Sequence, residues 1–192
     1  MIAEIKKSNR YQWDLNPESQ QNLCSKLLDE FGRDKDLVIV AKSPHPFSIT
    51  LGPDDYRITT RIVEGQPFSS FLATAHEWGH SIYEQGLPSQ SHQWFAWPLG
   101  HATSMGVHES QSLFWENRIV KSKSFSKRFF KNFVDEGSPF SNYIELWKSI
   151  NHLNPGLNRV EADELTYGLH ILIRTELEID LIEGDLEAKD IP

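Results

Sequence analysis

The segment His-Glu-Trp-Gly-His at residues 76–80 constrains the fold more than any other part of the chain. Histidines four residues apart share one face of an α-helix, with Cβ atoms about 5–6 Å apart, so their imidazoles can converge on one metal ion. The flanking sequence also favours a helix, because Pro67 can open it and Gly86 can end it. Apolar side chains recur between them at helical spacing, so we predict a helix that turns His76 and His80 inward.

Glu77 is the candidate general base of this segment. It lies about a quarter turn from His76 and His80, where its carboxylate can reach a water on the open side of a bound metal. A pattern of three residues also arises by chance, so two ordinary helical histidines remain the alternative on spacing alone. Unpaired imidazoles on the inner side of a helix would cost free energy, which favours the metal site.

A catalytic zinc ion needs a third protein ligand, and Glu109 is the best candidate for it. Glu109 aligns with Leu113 and Val120 on one face of a helix predicted over 103–121. An acid in an apolar row needs a partner, and a metal ion is a suitable one. His108 points elsewhere on that helix and is the weaker candidate. A tertiary salt bridge is the alternative for Glu109.

The rest of the chain predicts a mainly α protein with a small β-hairpin or sheet. One strand is predicted at 36–41, and a hairpin with strands near 46–51 and 56–62. The segment 87–101 is predicted to be a loop. Further helices are predicted at 17–32, at 125–135, within 138–153 and at 156–183. Because we find no interdomain linker, we expect residues 1–192 to form a single domain.

Composition limits the partners and the location that we expect. The formal net charge of −8 disfavours nucleic acid and anionic membranes as partners. No apolar run is long enough to span a membrane. Cys24 is the single cysteine, which excludes an internal disulfide, and the first residues lack the apolar segment of a signal peptide. We therefore expect a cytoplasmic protein in which Cys24 is a small core residue.

The last predicted helix carries Arg159, Asp163, Thr166 and His170 in one row. Opposite charges at this spacing can form an exposed ion pair worth about 0.3–0.5 kcal/mol. The functional alternative is an arginine that Asp163 holds in place, or a group that orients a histidine.

Five ordered segments make the sequence resemble the carboxypeptidase Taq family of zinc metallocarboxypeptidases. They are "HPF" (45–47), "DYRITTR" (55–61), "HEWGHSIYEQGLP" (76–88), "SMGVHESQSLFWEN" (104–117) and "RVEADELTYGLHILIRTELE" (159–178). Five motifs in family order are far more specific than one HExxH motif. The resemblance implies a largely helical, zincin-like catalytic core with a deep groove. It also implies removal of C-terminal residues from peptides, commonly by a homodimer.

The resemblance assigns a role to each motif. The metal ligands of the family correspond to His76, His80 and Glu109, and its general base corresponds to Glu77. The metal is expected to be zinc, with cobalt or another divalent ion also possible. Positions that line or support the active-site groove correspond to His45, Asp55, Arg57 and Thr60. The motif near the C-terminal carboxylate of the substrate supplies Arg159, with Asp163 as its support.

The chain also departs from the family pattern. Family members are much longer, with a helical region before the matching part and, after it, a Gln-Asp-x-His-Trp signature and a later tyrosine. Those later elements are expected to bind substrate and stabilise the oxyanion, so the resemblance implies weak or absent activity for this chain alone. The alternative function is an inactive zinc-binding module that needs a partner chain. We also expect self-association.

Overall fold

The computed structural model describes residues 13–153, 156–159 and 162–191. These residues fall into two compact units, one within 11–150 and the other within 151–192. A single core over residues 1–192 stays a prediction. The described elements are mostly helices, with one three-stranded sheet, so the predicted mainly α fold is confirmed.

Helix α1 spans Pro17–Glu30. The side chain of Asn16 caps it by accepting a hydrogen bond of 2.9 Å from the backbone N–H of Ser19, and Pro17 occupies the first turn. Its inner face buries Leu23 and Leu27, which are at most 1% exposed. The helix ends two residues before the predicted boundary of Gly32.

The sheet contains β1 (Val38–Lys42), β2 (Ser48–Gly52) and β3 (Asp55–Thr60) in the order β1-β3-β2. The predicted hairpin is present, because β2 pairs antiparallel with β3. Asp54 in its turn adopts a positive φ of 65°, a conformation that aspartate tolerates better than most residues. The first strand pairs parallel with β3, which makes β3 the central strand.

Helix α2 spans Pro67–Gln85 and lies at the centre of the first unit, where it packs against α1 and β3. Phe71 and Ala75 are fully buried in an aromatic cluster that also contains Phe129 and Phe133. Trp78 is 1% exposed and belongs to a second cluster with residues of the sheet. Burying each large side chain contributes about 1.5–3 kcal/mol. Because α2 contributes to both clusters, this burial stabilises it on two of its faces.

Helix α3 spans Met105–Leu113 and continues directly into a π-helical segment at Phe114–Val120. The single helix predicted over 103–121 therefore changes its winding halfway along. Helix α4 (Lys123–Asp135) and helix α5 (Tyr143–Ile150) complete this unit. The predicted loop at 87–101 contains two short 3₁₀ turns, Pro88–Gln90 and Pro98–Gly100.

The second unit contains helix α6, Glu164–Glu183, followed by a 3₁₀ turn at Ala188–Asp190. The helix ends where predicted, at Gly184, which has a left-handed φ of 83°. It begins eight residues later than predicted, because Asp163 is extended and caps it. None of the described residues of α6 is buried within the chain. No helix among the described residues is both long enough and apolar enough to cross a bilayer.

Candidate metal centre

The structure brings the three predicted metal ligands together. One ligand atom from each of His76, His80 and Glu109 lies within 4.8 Å of the others. Oε2 of Glu109 is 3.3 Å from Nε2 of His80 and 3.6 Å from Nε2 of His76. Among the described residues, this is the cluster of three or more potential ligands that could hold a metal ion.

The close approach of α3 to α2 places Glu109 beside the histidines. Gly79 lies where the helices meet, and a Cβ atom there would be 2.5 Å from Cα of Ser112 and 2.8 Å from the carbonyl oxygen of Gln111. Only a residue without a side chain allows this approach. The buried hydroxyl of Ser112 lies 2.7 Å from the backbone oxygen of Glu109 and 3.1 Å from Oε2 of its carboxylate, and it shares its one proton between them.

The other nitrogen of each ligand imidazole is also engaged. Nδ1 of His76 is 3.0 Å from Oε2 of Glu116, and Nδ1 of His80 is 2.6 Å from Nδ1 of His108. Both imidazoles therefore turn Nε2 toward Glu109, with their Nδ1 atoms facing away from it. Metal-binding histidines in proteins are commonly oriented by a hydrogen bond of this kind.

Glu116 was not among the predicted site residues. It lies seven residues after Glu109, and two helical turns return to nearly the same face, so its spacing was the available signal. Its carboxylate accepts from His76 and is 3.5 Å from Nζ of Lys121. The change to π-helical winding between the two acids made their final positions unpredictable from helical spacing alone.

The electrostatics of this cluster favour a positive charge between the side chains. Burial works against protonation of His76, but hydrogen bonds to Glu109 and Glu116 outweigh it and raise the pKa of His76 to about 10. For Glu109, burial acts in the opposite direction, yet hydrogen bonds to His76 and His80 hold the pKa of its carboxyl well below its usual value. Two imidazoles and one carboxylate form a donor set that fits a divalent ion such as zinc.

Glu77 lies beside the triad as a buried carboxyl group that is 6% exposed. Burial raises its pKa, and the nearby His76 and His80 partly offset this effect. A carboxylate that attracts protons more strongly than an exposed one is suited to accept a proton from water.

The other predicted residues of the first unit lie on the sheet and on the loop between β1 and β2. Asp55 and Arg57 form a two-pronged ion pair on β3, with N–O distances of 2.8 and 3.0 Å. Arg57 and His45 are exposed. Thr60 is buried and donates to the backbone oxygen of Ser70 at 3.2 Å. Within the described part of the chain, no hydrogen bond or ion pair joins these residues to the triad.

Arg159 and Asp163 lie in the second unit. Asp163 caps α6, because its Oδ1 accepts from the backbone N–H of Thr166 at 2.8 Å and from its hydroxyl at 3.0 Å. The prediction that Arg159, Asp163, Thr166 and His170 form one helical row was wrong, since α6 begins at Glu164 and Arg159 precedes it. Their proposed contact with substrate stays a prediction.

Comparison with known proteins gives a consistent result. The sequence profile described as carboxypeptidase Taq (M32) metallopeptidase matches residues 2–192. Thermostable carboxypeptidase 1 of Thermus thermophilus is 42% identical over 177 residues, which are 91% of this chain and 34% of that protein. Carboxypeptidase 1 of Bacillus subtilis is 38% identical over 179 residues, 91% of this chain and 35% of that protein.

A solved structure has the same fold. The M32 carboxypeptidase from Deinococcus radiodurans superposes with a TM-score of 0.85 at 34% identity, covering 96% of this chain and 37% of that one. The chain thus spans about one third of the length of the curated relatives that it matches. The resemblance of its five motifs is confirmed over nearly the whole chain. The chain belongs to the carboxypeptidase Taq (M32) metallopeptidase family.

Proposed function

We propose that this chain carries the metal-dependent catalytic core of a carboxypeptidase, which hydrolyses the C-terminal peptide bond of peptides. The observation that carries the proposal is the convergence of His76, His80 and Glu109 with the buried Glu77 beside them. The names of the relatives support the choice of a carboxypeptidase within the wider class of metal-dependent hydrolases.

His76, His80 and Glu109 would hold the metal through two Nε2 atoms and one carboxylate oxygen. Zinc suits this donor set best, and cobalt or another divalent ion is an acceptable substitute. When bound, the ion would acidify a water molecule and polarise the scissile carbonyl. The hydrogen bond from Ser112 would keep the carboxylate of Glu109 in place for this role.

Glu77 would manage the proton in the reaction. Its carboxylate oxygen would accept a proton from the attacking water and then donate it to the leaving amine nitrogen. The burial that raises its pKa makes it a better proton acceptor than an exposed glutamate. The nearby His76 and His80 act against this shift and favour the ionised form of Glu77.

Recognition of the substrate is assigned by the resemblance to the family. Arg159, supported by Asp163, would bind the C-terminal carboxylate, and His45 and Arg57 would contact the substrate in the groove. For Arg57, the two-pronged pair with Asp55 favours this role, because the guanidinium is already oriented before a peptide binds.

A cytoplasmic location and a homodimer also stay proposals, and light scattering of the purified chain would test the dimer.

The proposal is tested by reconstituting the chain with zinc and measuring hydrolysis of an N-blocked dipeptide. We expect wild type to release the C-terminal amino acid slowly. We expect Glu77→Gln to lose at least about a hundredfold in kcat while binding the metal unchanged. Hydrolysis that survives in Glu77→Gln would refute the general base. Stoichiometric zinc binding without hydrolysis in wild type would instead indicate an inactive metal-binding module.

A further inference from the structure

A second histidine cluster adjoins the metal centre and is not explained by metal binding alone. His108 of α3 lies between two residues of α2, with its Nδ1 2.6 Å from Nδ1 of His80 and its Nε2 2.7 Å from Oε1 of Glu84. The side chains are largely buried, with 16% of His80, 22% of His108 and 17% of Glu84 exposed. Tyr83 packs edge-on against His108, with ring centroids 5.3 Å apart.

A metal bound at Nε2 of His80, together with the two contacts, would determine which atom carries each proton. If His80 binds a metal through Nε2, its proton is on Nδ1, and that N–H donates to Nδ1 of His108. His108 then carries its own proton on Nε2, which donates to the carboxylate of Glu84. In this arrangement each of the two contacts pairs one donor with one acceptor.

The opposite arrangement of protons is unfavourable. If Nδ1 of His108 donated to His80, the proton of His80 would lie on Nε2 and block the nitrogen that faces Glu109. The unprotonated Nε2 of His108 would also face the carboxylate of Glu84 at 2.7 Å, which places two acceptors against each other. When His108 is neutral, Glu84 therefore favours the arrangement in which Nε2 of His80 is free to bind a metal.

We propose that Glu84 and His108 form a positioning relay that orients His80 and keeps its Nε2 available to the metal. The proposal rests on the proposed metal centre but not on peptidase activity. It also makes the two histidine ligands different, because His76 contacts the carboxylate of Glu116 directly whereas His80 reaches a carboxylate only through a second imidazole. Glu84 follows His80 by four residues, so both face His108 from one side of α2.

The first test measures zinc affinity by competition with a chromophoric chelator. We expect His108→Phe, which keeps a ring but removes both hydrogen bonds, to weaken zinc binding about 10–100-fold. We expect Glu84→Gln to weaken it less, and the double variant to bind no more weakly than His108→Phe, because Glu84 acts through His108. The control is His92→Phe, which changes an exposed histidine and should leave the affinity unchanged.

The second test needs no variant. In zinc-loaded wild type with ¹⁵N-labelled histidine, we expect scalar coupling across the hydrogen bond between His80 and His108, with the shared proton attached to Nδ1 of His80. A proton on Nδ1 of His108, or an affinity of His108→Phe for zinc within twofold of wild type, would overturn the relay. Neither result would contradict the proposed peptidase function. Wild type that binds no zinc would overturn the relay and the metal centre together.

Discussion

The substitution Gly79→Ala tests whether the contact between α2 and α3 builds the metal centre. The added Cβ atom would lie 2.5 Å from Cα of Ser112, about 0.9 Å short of the 3.4 Å at which ordinary contact begins. The obstructing atoms belong to the backbone of α3, so they cannot turn aside as a flexible side chain can. The helices must separate, and Glu109 must move with α3, because it lies one turn before Ser112.

The expected magnitude follows from the tolerance of metal coordination. Ligand distances to a bound metal are held within about 0.2 Å, so a displacement of about 0.9 Å exceeds what the site can accept without rearrangement. We expect zinc affinity to fall by at least about tenfold. Overpacking costs about 1–3 kcal/mol in free energy of unfolding, and the better helix propensity of alanine returns about 1 kcal/mol. The net destabilisation is therefore about 0–2 kcal/mol.

Two measurements separate these effects. Urea unfolding with a chelator present reports the stability of the metal-free fold, and chelator competition reports zinc affinity. The matched control is Gly106→Ala on α3, where an added Cβ would meet nothing within 4 Å. The control should gain up to about 1 kcal/mol and bind zinc like wild type. If Gly79→Ala also gains stability and keeps its affinity, the close approach does not govern the site.

Three further predictions address the charges and burial around the site. The pKa of His76 is raised from 6.5 to about 10 in the metal-free fold, so its proton stabilises that fold fully below pH ~6.5, and this contribution is lost as the pH rises through about 10. Zinc must displace this proton, so we expect its affinity to rise about tenfold per unit between pH ~7 and ~9, and an affinity independent of pH would contradict this. Glu116→Gln removes the charged acceptor of His76 and should weaken zinc binding about 10–100-fold in the same competition assay, whereas the exposed control Glu64→Gln should not. Cys24 is 2% exposed, and burial raises the pKa of its thiol, so a thiol reagent at pH ~8 should label it only at the rate at which the protein unfolds.

Much of the fold was predictable because it depends on local patterns. Pro67 and Gly86 bracket α2, and the hairpin of β2 and β3 follows from alternating residues around a turn. The parallel pairing of β1 with β3 was not predictable, because it depends on a contact between segments that no local pattern joins. The start of α6 was predicted too early. The helical periodicity of the sequence extends upstream of Asp163, whereas the helix itself begins only after this capping residue.

The candidate site also contains residues that local patterns predict and residues that they do not. His76, His80 and Glu77 were predictable from the spacing within one helix, and Glu109 from its polar position in an apolar row. The supporting residues were not, because each acts across an interface between helices. Glu116 reaches His76 from the π-helical segment, and His108, predicted as the weaker candidate ligand, contacts the candidate ligand His80.

The sequence by itself determined a helix with His76 and His80 on one face and Glu77 about a quarter turn away, since the period of the α-helix converts spacing directly into direction. Only the tertiary structure decided how that helix meets the one that carries Glu109. That meeting depends on the absence of a side chain at Gly79 and on packing between residues far apart in the chain. Distances of this kind arise from contacts summed over the whole unit, and no local pattern specifies them.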